Sequence, residues 1–255
     1  MQNRLDLTGK VALVTGGGRG IGREIVRTLA DAGADIAVAD MDAATAADAA
    51  AEVQSMGRQA ISIQADVRNS AQVDAMAKQA FDHFGKIDIL VANAGVARNT
   101  PAEDTTDEEW DFVVDINLNG VFRTCRAVGK IMLQQGYGSI VNIASMSGSI
   151  VNKPQPQAHY NASKAAVIML TKSLAAEWAD RNVRVNCVSP GYIGTEMTKK
   201  GMSNEVWKEF WLEMTPMKRV GQPQEVANAV LFLASDAATF ATGTDLIVDG
   251  GYSSW

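Results

Sequence analysis

The chain is short of several things, and each shortage narrows what it can be. Only two of its 255 residues are cysteine, Cys125 and Cys187. They lie far apart and form neither a C-x-x-C pair nor a zinc pattern, so two reduced, buried thiols and no metal centre are expected. No basic block occurs, and the formal net charge is −6. That lacks the electrostatic footprint of a nucleic-acid binder. No apolar run reaches the roughly 18 residues of a bilayer span. The stretch from Met1 to Lys10 is charged and has no apolar core of signal-peptide length. A cytoplasmic protein without a membrane partner is expected. No linker marks a second domain, and no repeat of about 20 to 50 residues is present. With 47% hydrophobic and 20% charged residues, the chain reads as one domain over residues 1–255. Proline is sparse, at six residues. Pro154 and Pro156 precede a helical pattern, whereas Pro190, Pro216 and Pro223 edge an irregular region.

What is present is an alternation of short β-rich runs and longer helical patterns. Strands are predicted over 11–15, 34–40, 60–65, 87–92, 139–144, 183–188 and 244–248. Helices are predicted over 20–32, 43–56, 69–84, 107–134, 158–178 and 222–233, with a bend near Gly120. Continuous apolar strands, each followed by a crossover helix, imply an α/β fold: a doubly wound parallel sheet with helices on both faces. Residues 191–219 interrupt the alternation after a strand end and are rich in Met, Trp and charge. They read as a helical lid, because open α/β sheets bind ligands beyond their strand C-termini; the plainer reading is a packed excursion.

The first strand runs into Thr15-Gly16-Gly17-Gly18-Arg19-Gly20-Ile21-Gly22, which opens the first helix. Glycines allow a tight turn and close approach of a pyrophosphate to the helix N-terminus. The spacing is neither G-x-G-x-x-G nor a P-loop. Asp40 ends the second strand, where a carboxylate accepts from ribose hydroxyls and repels a 2′-phosphate. That favours NAD over NADP. Arg19 pulls the other way, and Met41 leaves no second basic partner.

Tyr160 and Lys164 are four apart, so on a helix they share a face. A phenol has a pKa of about 10 and is a poor base near neutrality. A nearby ammonium favours the phenolate and would bring Tyr160 toward general acid/base work. Alone the pair is ordinary; with Ser145 and Asn117 upstream it looks like a proton-handling site.

Taken together, these motifs resemble the short-chain dehydrogenase/reductase family over nearly the whole chain. TGGGRGIG resembles its TGxxxGIG turn. Asp66 and Val67 match its adenine-contacting pair, and Asn93-Ala94-Gly95 matches its NAG motif. Asn117, Ser145, Tyr160 and Lys164 match its catalytic tetrad. Pro190-Gly191 with Ile193 and Thr195 matches the segment that holds the nicotinamide amide. The resemblance implies a Rossmann-type domain, NAD-binding mainly in residues 1–95 and catalytic in 96–255. It implies Gly16, Arg19, Gly20, Ile21, Gly22, Asp40, Asp66, Val67, Asn93, Gly95, Tyr160, Lys164, Pro190, Ile193 and Thr195 at the cofactor. It further implies Tyr160 as general acid/base and Lys164 as the group that lowers its pKa and binds the nicotinamide ribose. Ser145 is implied at the substrate oxygen, Asn117 on a water joining Lys164 to solvent, and a homotetramer as the assembly.

The gap from Ser145 to Tyr160 is slightly longer than in most members. The stretch from Ser145 to Asn152, the lid piece from Trp211 to Met217 and the tail from Asp249 to Trp255 resemble bacterial polyol dehydrogenases of the galactitol and sorbitol type. The candidate substrate rim, Ser145, Ser147, Asn152, Gln157, His159, Tyr160 and Tyr192, is polar, which suits a polyol or keto-sugar and rejects an aliphatic chain. His159 could also be an ordinary surface or loop histidine. A 3-oxoacyl-carrier-protein reductase shares the tetrad, and a non-catalytic NAD-binding sensor would have no need of it.

Overall fold

Every residue of Val11–Thr15 (β1) is buried, and all but its last are apolar. The run therefore forms a strand covered on both faces rather than a half-solvated one. The computed structural model describes residues 3–255, the Lys200 side chain excepted; the first two residues of the charged N-terminal stretch lie outside the described residues. After β1 come α1 (Gly20–Asp31), β2 (Asp35–Asp40), α2 (Ala43–Ser55), β3 (Ala60–Gln64), α3 (Ser70–Phe84) and β4 (Ile89–Ala92). Then follow α4 (Asp107–Val114), α5 (Gly120–Gln135), β5 (Gly138–Ile143), α6 (Ala158–Trp178) and β6 (Val183–Pro190). The chain ends with α7 (Glu196–Met202), α8 (Glu205–Met214), α9 (Pro223–Ala234) and β7 (Asp245–Val248).

The strands form one seven-stranded sheet in the order β3-β2-β1-β4-β5-β6-β7, and every pairing is parallel. Alternation along β1 supplies both core layers. Leu13 enters one layer, with Leu90, Ile140, Val73, Met132 and Val167. Ala12 and Val14 enter the other, with Ile25, Leu29, Val38, Val53 and Val230. Period-two side chains thus bind α3, α5 and α6 to one face and α1, α2 and α9 to the other. Leu13 and Ile140 are fully buried, and truncating either to alanine costs about 2–5 kcal/mol.

Element ends follow local chemistry. Asn69 caps α3 by accepting from the Gln72 N–H; Gly85, at φ 75°, ends it. Gln222 and Glu225 form a reciprocal capping box on α9, with Pro223 in its first turn.

Two expectations shift. The fourth strand starts at Ile89 rather than residue 87. The predicted 107–134 helix is broken by a π-helical turn, Asp115–Asn119, before α5 begins at the expected bend, Gly120. There a Cβ would sit 2.7 Å from Val67 Cγ2, so the glycine lets the β3 edge approach. Such π turns often mark functional positions, and this one carries Asn117. The 191–219 region holds α7 and α8 beyond the end of β6, so the interruption is helical as expected.

The order reverses between β1 and β4: from β1 the chain builds outward to β3, then returns to β4 on the other side. Loops leaving these two strands diverge and open a crevice at their C-terminal edge. Register places Thr15 opposite Ala92, which brings Gly16 and Asn93 together at its floor.

Candidate active site

The crevice floor is built from backbone and one amide. Asn93 Nδ2 donates to the carbonyls of Thr15 (3.0 Å) and Gly16 (2.9 Å), tying the β4 end to the glycine turn. A Cβ on Gly22 would lie 2.0 Å from the Gly16 carbonyl oxygen, so the first turn of α1 can fold over the loop only with glycine there. At Gly20, φ 56°, a Cβ would meet only Thr195 Cγ2, at 3.7 Å. Arg19 gives α1 no side-chain cap, and no acidic residue occupies its first turn. A helix N-terminus left uncapped by its own chain, at a glycine cradle, fits a pyrophosphate. Ile21 packs into the α1 core layer and anchors the cradle from beneath.

Asp40 stands at the rim of the cradle. Its carboxylate accepts from the N–H groups of Gly18 (3.0 Å) and Asp42 (3.1 Å), which fixes its orientation. Beside it Met41 is exposed. Arg19 turns away from the glycines and pairs with Asp42 at 3.1 Å. Asp66 is occupied by Arg68: the guanidinium grips both carboxylate oxygens and holds the carboxyl below its usual range. Val67 is buried, and its carbonyl accepts from Arg123 at 3.4 Å. These residues thus flank the crevice at the ends of β2 and β3.

The four tetrad residues gather at the ends of β4 and β5. Gly95 sits where a Cβ would be 3.3 Å from Asn117 Oδ1 and 3.6 Å from Lys164 Nζ, so its bare backbone lets both approach. Asn117 is fully buried. Its Oδ1 accepts from the Val96 N–H (2.8 Å), and its Nδ2 donates to the Val96 carbonyl (2.9 Å) and to Ser163 Oγ (3.2 Å). The side chain fastens the strap after β4 to α6. Lys164 is buried and donates to the Ile143 carbonyl at 2.8 Å. Burial pulls its ammonium down to about 8.

Tyr160 is half-buried in the first turn of α6, with Lys164 Nζ 5.8 Å from its ring centre. The shared face is as expected. Burial pushes the phenol above its ordinary value, and hydrogen bonding to Ser145 opposes the rise. Ser145 is buried, and its Oγ accepts from the Ser147 N–H at 3.1 Å.

The expected polar rim is a bonded cluster. Asn152 Nδ2 (3.0 Å) and Gln155 Nε2 (2.9 Å) both donate to Tyr192 Oη. Gln157 Nε2 reaches Ser147 Oγ (3.3 Å) and Asn152 Oδ1 (3.1 Å). Trp211, from α8, donates Nε1 to Gln155 Oε1 at 3.0 Å and stacks on Tyr192 at 4.0 Å. Gln155 is the residue that sequence reasoning missed: it joins α8, its own loop and Tyr192, and only the glutamine-rich composition of the loop hinted at it.

His159 needs correction. It is neither a surface histidine nor a rim group: it is buried, and both ring nitrogens bond within the protein. Pro190 ends β6, Ile193 is buried against Gly221, and the Thr195 N–H donates to the Ile193 carbonyl at 2.8 Å. That segment carries Thr195 to the glycine turn.

The family model adh_short_C2, described as "Enoyl-(Acyl carrier protein) reductase", matches residues 16–253. A galactitol 2-dehydrogenase (L-tagatose-forming) of Cereibacter sphaeroides is 48% identical, over 98% of this chain and 97% of its own. A probable NADP-dependent mannitol dehydrogenase of Yarrowia lipolytica is 44% identical, over 99% of this chain and 90% of its own. A 3-oxoacyl-[acyl-carrier-protein] reductase of a Synechocystis strain is 45% identical, over 96% and 97%. The crystal structure of gox2181 superposes with a TM-score of 0.97 at 49% identity, over 99% of this chain and 98% of its own. The chain belongs to the short-chain dehydrogenase/reductase family. It is an oxidoreductase of alcohols and ketones in a family that uses a nicotinamide cofactor. Among the described residues no helix is long and apolar enough to cross a membrane.

Proposed function

We propose that this chain is an NAD-dependent dehydrogenase that interconverts a secondary alcohol of a polyol, or of a sugar-derived substrate, with the matching ketone. One observation carries the reading: a phenol, a hydroxyl and an ammonium from Tyr160, Ser145 and Lys164 meet beside a glycine cradle, under a lid tied down by amides. Alcohol oxidation needs a proton acceptor at the oxygen and a hydride acceptor at the same carbon. The nicotinamide cofactor, when bound, supplies or accepts the hydride. Gly16, Gly20, Gly22 and the uncapped start of α1 would hold its pyrophosphate. Asn93 and Gly95 would floor it, Asp66 and Val67 would flank the adenine, and Pro190, Ile193 and Thr195 would hold the nicotinamide amide.

The remaining work falls to the chain's own groups. Tyr160 takes the proton from the substrate hydroxyl, or returns it. Ser145 donates to the substrate oxygen and stabilises charge that develops there. Lys164 binds the ribose hydroxyls, and its ammonium beside the Tyr160 ring favours the phenolate. Asp40 supports NAD, since its fixed carboxylate repels a 2′-phosphate, and Arg19 is committed to Asp42.

Polarity supports a polyol. Ser147, Asn152, Gln157 and Tyr192 form a ring that a hydroxylated chain can enter by exchanging hydrogen bonds, whereas an aliphatic chain would strand them. A second reading, reduction of a 3-oxoacyl thioester, is favoured by the family model's description and by the Synechocystis relative. Asp40 speaks against the NADPH such a reaction would draw on.

Assembly is proposed as a homotetramer in the cytoplasm. Trp110, Phe122 and Met169 are exposed on α4, α5 and α6, and Phe240, Ile247 and Trp255 are exposed around β7 and the tail. Exposed apolar groups on these helices and around the β7 edge support two kinds of subunit contact. Turnover of four- to six-carbon polyols with NAD, against hydroxyacyl thioesters with NADP, tests the substrate reading.

A further inference from the structure

Tyr160 sits where a helix is weakest. It is the third residue of α6, and the first four N–H groups of a helix have no partner inside it. Gln157 precedes the helix at φ −162° and offers no side-chain cap. The first helical bond reaches back from the Asn161 N–H to the Gln157 carbonyl, so the N–H of Tyr160 is an orphan. His159 meets that need: the Tyr160 N–H donates to His159 Nδ1 at 2.9 Å. The bond sets the tautomer. With Nδ1 accepting, the ring proton lies on Nε2, which faces Glu109 Oε1 at 3.0 Å. Glu109, on α4, also accepts from the Thr100 hydroxyl of the strap that follows β4. The histidine is 1% exposed, so neither bond is shared with bulk water.

From this we infer that His159 is a positioning residue for Tyr160, acting as a brace whose Nδ1 holds the tyrosine's backbone and whose Nε2 is anchored by Glu109 on α4. It touches neither cofactor nor substrate. A phenol carried on a frayed first turn would wander relative to Ser145, and small misplacements of a reacting group cost rate steeply. The inference rests on Tyr160 as the proton-transfer group.

Two substitutions separate the bonds. Asparagine places an oxygen acceptor near Nδ1 and drops the Nε2 donor; glutamine places an N–H donor near Nε2 and drops the Nδ1 acceptor. His159→Gln should lower kcat for polyol oxidation by about tenfold or more, with KM for NAD within about twofold. His159→Asn should recover kcat to within about threefold of the unaltered enzyme. A buried group of merely structural value would lower the unfolding temperature of both variants and leave kcat of the folded enzyme alike in both. Should His159→Gln fail to fold, Glu109→Ala at the half-buried anchor carries the same expectation of reduced kcat at unchanged KM for NAD. Equal kcat in the histidine pair, or an undiminished kcat in Glu109→Ala, overturns the brace while Tyr160→Phe is inactive. Full activity of Tyr160→Phe would instead overturn the proton-transfer reading, and the brace with it.

Discussion

Lys164 donates to the carbonyl of Ile143 at 2.8 Å, two residues before Ser145, rather than reaching the phenol of Tyr160. The lysine is thereby fixed to the end of β5, and the price is burial of a charge. Its pKa is depressed in the folded chain, to about 8 against an ordinary 10.5. The unfolded chain binds more protons between those values, so this group's contribution to stability rises with pH from about 8 to 10.5. Below that window the charged lysine destabilises the fold. Lys164→Met should therefore raise the unfolding temperature at pH 7 by a few degrees while abolishing turnover. A lowered midpoint would mean that the bond to Ile143 outweighs the desolvation.

Ser145 opposes the burial that holds the Tyr160 phenol high. Removing it should push the phenol higher still. Alcohol oxidation needs the phenolate, so its rate should climb with pH, and in Ser145→Ala the climb should begin at higher pH. Its kcat should also fall by about 10²-fold or more. An unshifted pH profile would show that Ser145 does not act on the phenol.

Asp40 supports the glycine turn and faces the cradle rim. Asp40→Ala should cut the preference for NAD over NADP, read as the ratio of kcat/KM values. A ratio that stays put would assign discrimination elsewhere.

Gln155 serves Tyr192 and Trp211 at once. Gln155→Leu leaves the indole N–H without its acceptor, at about 1–3 kcal/mol for a buried donor. The lid should loosen, raising KM for the polyol while KM for NAD stays. A rise in both would place Gln155 in general stability.

Subunit contact is tested at the tail. Trp255 is exposed, and its Nε1 donates to the Met214 carbonyl at 3.2 Å. A chain lacking its last four residues should shift toward smaller species in light scattering; an unchanged tetramer would contradict a tail contact.

Much of this was legible in the sequence, for physical reasons. Strand cores such as Val11–Thr15 announce themselves because burial on both faces demands unbroken apolar runs. Gly16 and Gly22 announce the cradle because no other residue fits the approach to Asn93. The π turn at Asp115–Asn119 was hidden, since helical periodicity runs through it without a proline or a cap. His159 was misjudged because its anchor, Glu109, lies fifty positions away. A separation of 56 positions likewise concealed the tie from Gln155 to Trp211. Local pattern fixes which face a side chain takes; it does not say which distant group will meet it there.

The most direct measurement is NAD reduction, followed by its near-ultraviolet absorbance, with a panel of four- to six-carbon polyols and the same panel with NADP. The account predicts turnover of at least one polyol with NAD, weaker turnover with NADP, and none in Tyr160→Phe. Silence across the polyols while NAD binds, with turnover of an acyl or small hydroxy-ketone substrate instead, would contradict it.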